Sequence, residues 1–387
     1  MSERLLTPAF VLVWLATFGA FASFGVNLLT LPLFAADELE RGSIGIGVAV
    51  GAASLTAVLF GPPAGRVADR RGRRVMLLAG AAVMTACYVA LALEPSQPLV
   101  VAIRLLGGAG EAAFAVGVFT IAADLAPEAR RGEAMSLVTT ASYLGLAIGP
   151  VVADLVLGDG RFALTWLVAA ALMVVATAAV LPLGETKPES DEEAPAGWLP
   201  PRSALAPGLL VLLGLTGFGG FVAFAALYAR ELGFERPGVV FALFGAVVVL
   251  IRTFGRKLPD QLGARSALIL SFVNLAVGLA TMGTWQTEAG LLLGTAIFAV
   301  GQALCYPSAV LLAMQAATAA ERSAVVGGVT AFVDIALALG ALTLGAVASV
   351  TGYAGAFIAA AAVALSGLLV FTQSAEWRRV PSEEAAP

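Results

Sequence analysis

The chain has 387 residues, a formal net charge of −4 at neutral pH and no histidine. Hydrophobic residues make up 59% of it and charged residues 12%, which is about half of the ~25% typical of soluble domains. This composition excludes a soluble globule, a disordered chain and a nucleic-acid-binding protein. The missing histidine excludes histidine-ligated metals and histidine-dependent nucleophiles, and two isolated cysteines argue against a disulfide framework. We therefore expect an integral membrane protein without a cofactor or a metal site.

Twelve stretches of the chain are long and apolar enough to cross a bilayer as helices, which takes about 20 residues each. Half of them precede a polar segment near the middle of the chain and half follow it. The predicted spans are 8–34, 43–65, 75–93, 97–124, 132–157, 162–183, 204–230, 237–255, 266–285, 289–314, 323–349 and 352–373.

Basic residues between the spans predict the orientation of the protein. If the amino terminus is inside the cell, most arginines and lysines outside the spans fall in cytoplasmic segments, and the run at 70–74 is the densest of these. The positive-inside rule then predicts a multi-pass protein of the plasma membrane with both termini in the cytoplasm.

A polar segment at 185–203 divides the chain. It is rich in acidic residues and prolines, which is typical of a solvated linker. The predicted domains are an amino-terminal six-helix bundle at 1–184, this cytoplasmic linker, a carboxy-terminal six-helix bundle at 204–376 and a cytoplasmic tail at 377–387.

The two halves repeat each other at a constant offset. Asp69 and Asp260 are 191 positions apart (260 − 69 = 191), and Gly149 and Gly340 have the same separation (340 − 149 = 191). Because duplicated halves of transporters hold their binding site near the bilayer midplane, the repeat predicts a transport pathway between the two bundles.

The segment after the second span carries the most specific motif of the sequence. It reads G-R-V-A-D-R-R-G-R-R and resembles the signature loop G-x-x-x-D-R-x-G-R-R of the major facilitator superfamily at Gly65, Asp69, Arg70, Gly72, Arg73 and Arg74. We expect Gly65 to allow close approach of helices and Gly72 to form a turn with positive φ. Asp69 is expected to meet a helix N-terminus or an arginine.

The resemblance implies an all-α integral membrane protein with the major facilitator fold, in which twelve transmembrane helices form two pseudo-symmetric six-helix bundles. It also implies a monomer that moves a small molecule by alternating access and contacts membrane lipid. The sequence around Asp124 is similar to an inter-helix loop of the family, and Asp124 is placed to pair with a signature arginine. Such a pair is either an inner gate that biases the conformational equilibrium or an unimportant surface pair.

The fourth span contains Arg104 and Glu111 in a stretch similar to the family pattern R-x-x-Q-G-x-G, with Gly107 in place of the glutamine. Their separation of seven residues predicts that both lie on one face of a helix. A charge facing lipid costs at least ~2.5–3.5 kcal/mol, so both should face the bundle interior. We expect Glu111 to carry protons, because a desolvated carboxyl group can hold one. A structural ion pair is the alternative.

The fifth span resembles the antiporter motif g-x-x-x-G-P-x-x-G-G of exporting members of the family, at Gly145, Gly149 and Pro150. The glycines provide a face for close packing, and the proline removes a backbone hydrogen bond and bends the helix. The final glycine pair of the motif is absent. A generic packing motif is the alternative, since Gly47 and Gly51 have the same spacing in the second span.

Three further polar residues lie deep within predicted spans. Asp334 is near the middle of the eleventh span and is a candidate for substrate contact, proton binding or an interhelical hydrogen bond. Gln302 and Asn27 are weaker candidates for the substrate site, because a buried amide more often joins helices.

These features predict a proton-coupled exporter of small apolar or amphipathic compounds rather than an enzyme. Two mid-membrane acids and few buried amides support this hypothesis. The alternatives are a symporter or facilitator for uptake of a sugar and a carrier of organic anions, whose carboxylate Arg104 would neutralise.

Overall fold

The computed structural model describes residues 5–158, 160–186, 201–255, 261–317 and 322–373. These ranges form long helices and contain no strand. The helices of the first half are α1 (Pro8–Asp37), α2 (Ser43–Arg71), α3 (Arg73–Leu91), α4 (Gln97–Leu125), α5 (Arg131–Leu157) and α6 (Phe162–Val180).

The second half continues with α7 (Arg202–Glu231), α8 (Gly238–Phe254), α9 (Ala264–Thr284) and α10 (Glu288–Ala316). A last helical run, Arg322–Gln373, is interrupted at Gly352, whose φ of 74° and ψ of 177° are not helical. We call its two parts α11 (322–351) and α12 (353–373). Each predicted span corresponds to one of these helices. The prediction of an all-helical chain is therefore confirmed over the described ranges. In these ranges ten helical runs, of which Arg322–Gln373 is one, are long and apolar enough to cross a membrane, and α8 is a shorter apolar helix.

Local sequence signals explain where several helices begin and end. The Thr7 side chain accepts a hydrogen bond from the Phe10 N–H at 3.2 Å, and Pro8 occupies the first position of α1, where a missing N–H costs nothing. At the end of α2, Arg70 and Arg71 lie beside the negative end of the helix dipole. This helix continues six residues beyond its predicted end at 65. The signature motif is therefore mostly the last turns of α2, and the prediction that it forms a loop is wrong.

Two compact units divide the chain: Met1–Arg41 with Ala52–Ala194, and Gly42–Gly51 with Pro195–Pro387. The first turns of α2 thus group with the second unit. The division between 194 and 195 lies within the segment 185–203 that the sequence marks as a linker. Residues 187–200 of that segment and the whole predicted tail at 377–387 lie outside the described residues.

Candidate functional site

The signature motif joins α2 to α3 through a single glycine. Asp69 and Arg70 belong to the last turns of α2, and α3 begins at Arg73. Gly72, between the two helices, has a φ of 111°, a conformation that residues with a Cβ rarely adopt. The expected turn with positive φ is present.

Two other expectations for this motif are not met. No described atom lies within 4 Å of the position that a Cβ on Gly65 would take, so this glycine does not bring helices together. Asp69 is exposed, and no hydrogen bond or ion pair joins it to another residue in the described ranges. Both residues lie in the last turns of α2, beyond or at the end of its predicted apolar span, where no described helix packs closely against them.

Asp124, at the end of α4, joins the signature motif to the segment that follows α6. It forms an ion pair with Arg73, and the Thr186 hydroxyl donates a hydrogen bond to the same carboxylate oxygen at 3.0 Å. The Asp124 side chain is 23% exposed and that of Arg73 is 12% exposed. The structure thus brings Asp124 and a signature arginine together within the first unit.

Glu185 is a functional candidate that the sequence analysis missed. Its carboxylate accepts hydrogen bonds from the N–H groups of Arg73 at 2.8 Å and Arg74 at 3.3 Å, and so caps α3, for which Gly72 provides no side chain. The Arg74 guanidinium donates to the Leu181 carbonyl at 2.7 Å. An acidic residue directly after a span is a weak signal for such a cap, because the N-terminus of a helix attracts anions.

The Arg104 guanidinium and the Glu111 carboxylate form an ion pair on α4, with Nη1 and Oε1 3.2 Å apart. The Arg104 side chain is 9% exposed, whereas that of Glu111 is 27% exposed. Gly107 lies between them, and Arg104 Nη1 is the nearest atom to the position of a Cβ there, at 3.7 Å. The glycine therefore lets the arginine lie along the helix toward Glu111. The negative member of the pair is the more accessible one.

The motif residues of α5 pack against α1. A Cβ on Gly25 would lie 3.0 Å from both the Gly149 Cα and the Pro150 Cδ, and a Cβ on Gly145 would lie 2.6 Å from the Ala22 nitrogen. Both motif glycines thus serve close packing of backbones. The helix continues through Pro150 to Leu157.

Two features of the first unit recur in the second unit: close packing of glycines on two helices and a glycine with positive φ before a helix. A Cβ on Gly219 of α7 would lie 3.0 Å from the Cα of Gly340, the repeat partner of Gly149, on α11. Gly263 precedes α9 with a φ of 74°, as Gly72 precedes α3 191 positions earlier (263 − 72 = 191). Residues 256–260, which lie 191 positions after the first half of the signature motif, are outside the described residues. The internal repeat is thus visible in the backbone as well as in the sequence.

The two amide candidates join helices within their own units. Asn27 is buried and accepts a hydrogen bond from the Trp166 indole at 3.3 Å. Gln302, also buried, donates to the Gly214 carbonyl at 3.5 Å. These contacts fit the alternative that buried amides hold helices together.

Asp334 lies half-buried on α11. The sequence analysis did not name two hydroxyl groups that contact each other here, that of Thr330 on the same helix and that of Tyr306 on α10. Thr330 precedes it by four residues and therefore shares its face. Tyr306 of α10 makes a hydrogen bond with Thr330, with the two oxygens 2.7 Å apart. The four-residue spacing of Thr330 and Asp334 could have indicated that they share a helix face. The contact of Thr330 with Tyr306 was not predictable from one sequence.

Comparison with known proteins supports the family resemblance. The sequence profile of the Major Facilitator Superfamily matches residues 13–282, more than half of the chain. An uncharacterized MFS-type transporter of Salmonella typhimurium is 29% identical over 369 residues, which cover 92% of this chain and 93% of the relative. A second such transporter, from Burkholderia mallei, is 27% identical over 368 residues, which cover 92% and 89% of the two chains.

Solved structures share the fold. The nucleoside transporter NupG superposes with a TM-score of 0.78 at 13% identity, covering 95% of this chain and 98% of its own. The human organic anion transporter MFSD10 superposes with a TM-score of 0.71 at 19% identity, covering 96% and 99%. The matching profile covers more than half of the chain, and the signature motif, the repeated halves and the shared fold agree with it. The chain therefore belongs to the Major Facilitator Superfamily of secondary transporters.

Proposed function

We propose that this protein exports small apolar or amphipathic compounds in exchange for protons, by alternating access, and that Glu111 binds the proton. The Arg104–Glu111 pair carries the proposal. It places an ionisable group with a 27% exposed side chain in a membrane-spanning helix, where charged residues commonly mark proton pathways. Glu111 is accessible enough to exchange protons, and Arg104 holds its carboxylate in place.

The net charge of the Arg104–Glu111 pair couples proton binding to substrate binding. With Glu111 ionised the pair is neutral, and with Glu111 protonated it carries the positive charge of Arg104. A cationic compound binds better to the first form, so the proton and the compound exclude each other, as exchange requires. An organic anion binds better to the second form and would move together with the proton.

The resemblance of α5 to the antiporter motif supports exchange over symport. Symport of an organic anion is the second candidate, because Arg104 is a ready partner for a carboxylate or sulfonate. In either case the Arg73–Asp124 ion pair would act as an inner gate. Asp69 would bind a partner residue in another conformational state of the transport cycle. We place the protein in the plasma membrane as a monomer with both termini in the cytoplasm.

The test uses the purified protein in liposomes and two probes with permanent charge, naphthylmethylguanidinium and naphthalenesulfonate. When the liposome interior is more acidic than the bath, we expect the guanidinium to accumulate against its own gradient, and protein-free liposomes to show no accumulation. Accumulation of the sulfonate instead, when the bath is the more acidic side, would establish the symporter. If neither probe responds to the pH gradient, proton coupling is wrong.

A further inference from the structure

Four phenylalanine rings join α1 to α4 within the first unit. On α1, the ring centroids of Phe21 and Phe24 lie 5.2 Å apart. Each of these rings also contacts a ring of α4: Phe21 lies 6.4 Å from Phe119, and Phe24 lies 6.3 Å from Phe114. All three pairs meet edge to face, at interplanar angles of 60°, 70° and 82°. We call these four residues the phenylalanine group.

Most of the phenylalanine group is only partly covered by the protein. Phe114 is fully buried, whereas Phe21, Phe24 and Phe119 are half-buried. In an edge-to-face contact, the ring that supplies the edge keeps both of its faces uncovered by that contact. The group therefore has ring surface left for a further planar ring, and aromatic rings attract one another in edge-to-face and offset-stacked arrangements.

The phenylalanine group borders the proton site at Glu111. Phe114 and Phe119 follow Glu111 by three and eight residues, so they lie roughly 60° and 80° from it, on opposite sides, in a view along α4. The Glu111 side chain is 27% exposed, and because a carboxylate that faces lipid is costly, it opens onto a space that water reaches. The rings of Phe21 and Phe24, which contact the two α4 rings, therefore lie beside the same space.

The ring contacts also define the order of these groups across the bilayer. Phe21 meets Phe119 and Phe24 meets Phe114, so α1 and α4 are antiparallel. Glu111 precedes both α4 phenylalanines and therefore lies farther toward the carboxy-terminal end of α1 than they do. With the amino terminus in the cytoplasm, as proposed above, the phenylalanine group lies on the cytoplasmic side of Glu111. A compound that enters from the cytoplasm thus meets the rings before the carboxylate.

We propose that the phenylalanine group binds an aromatic ring of the exported compound, while Glu111 attracts a cationic group on the same compound. Glu111 lies only about 4.5 Å along the helix axis from Phe114, so a short linker joins the ring to the charge. The substrate class is a planar aromatic cation. This inference rests on the proposed export function and narrows its substrate, because it joins a ring to the charge that exchange at Glu111 requires.

Binding to the purified protein in detergent tests ring recognition with two probes of equal charge. Naphthylmethylguanidinium has an aromatic ring system, and decahydronaphthylmethylguanidinium has the same carbon skeleton in saturated form. We expect calorimetry to show that the aromatic probe binds about threefold to tenfold tighter, the contribution of aromatic pairs beyond their buried area. The inference fails if the saturated probe binds as tightly as the aromatic one, including the case in which neither binds.

Variants that remove single rings identify the residues. Phe21→Leu and Phe24→Leu keep an apolar side chain and lose the ring. Each should weaken binding of naphthylmethylguanidinium by about threefold to tenfold and leave binding of the saturated probe nearly unchanged. Phe60→Leu is the matched control, because Phe60 lies on α2 in the same unit and is 49% exposed.

A third probe separates the ring from the charge. Naphthylmethanol has the aromatic ring system but no charge, so its binding should weaken in Phe21→Leu and stay unchanged in Glu111→Gln. The two guanidinium probes should both bind more weakly to Glu111→Gln, because a charged partner is lost. Guanidinium binding that is unchanged in Glu111→Gln would overturn the placement of the cationic group beside this residue.

Three further results separate the site from the export function. Unchanged binding of naphthylmethylguanidinium in Phe21→Leu and Phe24→Leu, or an equal loss in Phe60→Leu, would overturn the site even if flux follows the pH gradient. An equal loss of the aromatic and the saturated probe would show that the substitutions disturb helix packing and would also overturn the site. Ring-dependent binding together with flux that ignores the pH gradient would overturn proton exchange and leave the site standing.

Discussion

Glu185 shows how a residue outside every motif can complete one. It lies 112 positions after Arg73, yet its carboxylate caps the helix that Arg73 begins. A motif in one sequence shows which residues stand at defined positions, but it does not show which distant residue supplies the missing hydrogen bonds. For this reason the positive φ of Gly72 was predictable and its neighbour Glu185 was not.

Removing this cap should destabilise the first unit. We expect Glu185→Ala to lower the free energy of unfolding by about 0.5–2 kcal/mol, as loss of an N-cap does in other helices. Denaturation of the purified protein in detergent measures the change. Glu133→Ala is the control, because Glu133 pairs with Arg130 in an exposed i,i+3 contact and its removal should leave stability unchanged. Equal stability of Glu185→Ala and Glu133→Ala would show that the cap does not stabilise α3.

Gly107 and its neighbour Gly108 have different roles. A Cβ on Gly107 would keep an ordinary distance of 3.7 Å from Arg104, whereas one on Gly108 would lie only 2.7 Å from the Ala53 carbonyl carbon. Gly107→Ala should therefore fold and transport normally, and Gly108→Ala should lose about 1–3 kcal/mol of stability through overpacking. Thermal unfolding of the two variants tests this difference, and a less stable Gly107→Ala would contradict the geometry.

At the scale of helices, the sequence predicts positions well and ends less well. The spans were predictable because a bilayer requires about 20 consecutive apolar residues, and that signal is long. The end of α2 was not, because a helix that leaves the bilayer no longer needs apolar residues and Arg66 looks like the start of a loop. The glycine spacing predicted a close-packing face on α5 but did not identify α1 as its partner. The Tyr306–Thr330 contact between α10 and α11 left no pattern in the sequence.

Close packing of α5 on α1 leads to a prediction for Gly149. A Cβ at this position would lie 2.6 Å from the Cα of Gly25, so Gly149→Leu should force the two helices apart and either abolish flux or make the liposomes leak protons. Gly132→Ala in the same helix is the control, since no described atom lies within 4 Å of its Cβ position. Flux and proton leak unchanged in Gly149→Leu would remove the main support for an antiporter role of this motif.

At the scale of the whole molecule, the sequence repeat, the matching backbone turns at Gly72 and Gly263 and the shared fold of distant transporters all indicate duplicated halves. Each half contains an acid near the middle of a membrane-spanning helix, Glu111 in α4 and Asp334 in α11. The Glu111 carboxylate lies 3.2 Å from the Arg104 guanidinium. This ion pair is the reason to assign the proton to the first half.

Proton coupling through Glu111 is tested most directly by transport of naphthylmethylguanidinium in liposomes that contain Glu111→Gln. The amide keeps the shape of the carboxylate and cannot exchange a proton. We expect this variant to exchange the probe down its own gradient but to lose all uphill accumulation driven by an acidic interior, while Glu128→Gln, which alters an exposed acid, accumulates it like the wild type. Uphill accumulation by Glu111→Gln at the wild-type rate would show that Glu111 is structural and would place the proton carrier elsewhere.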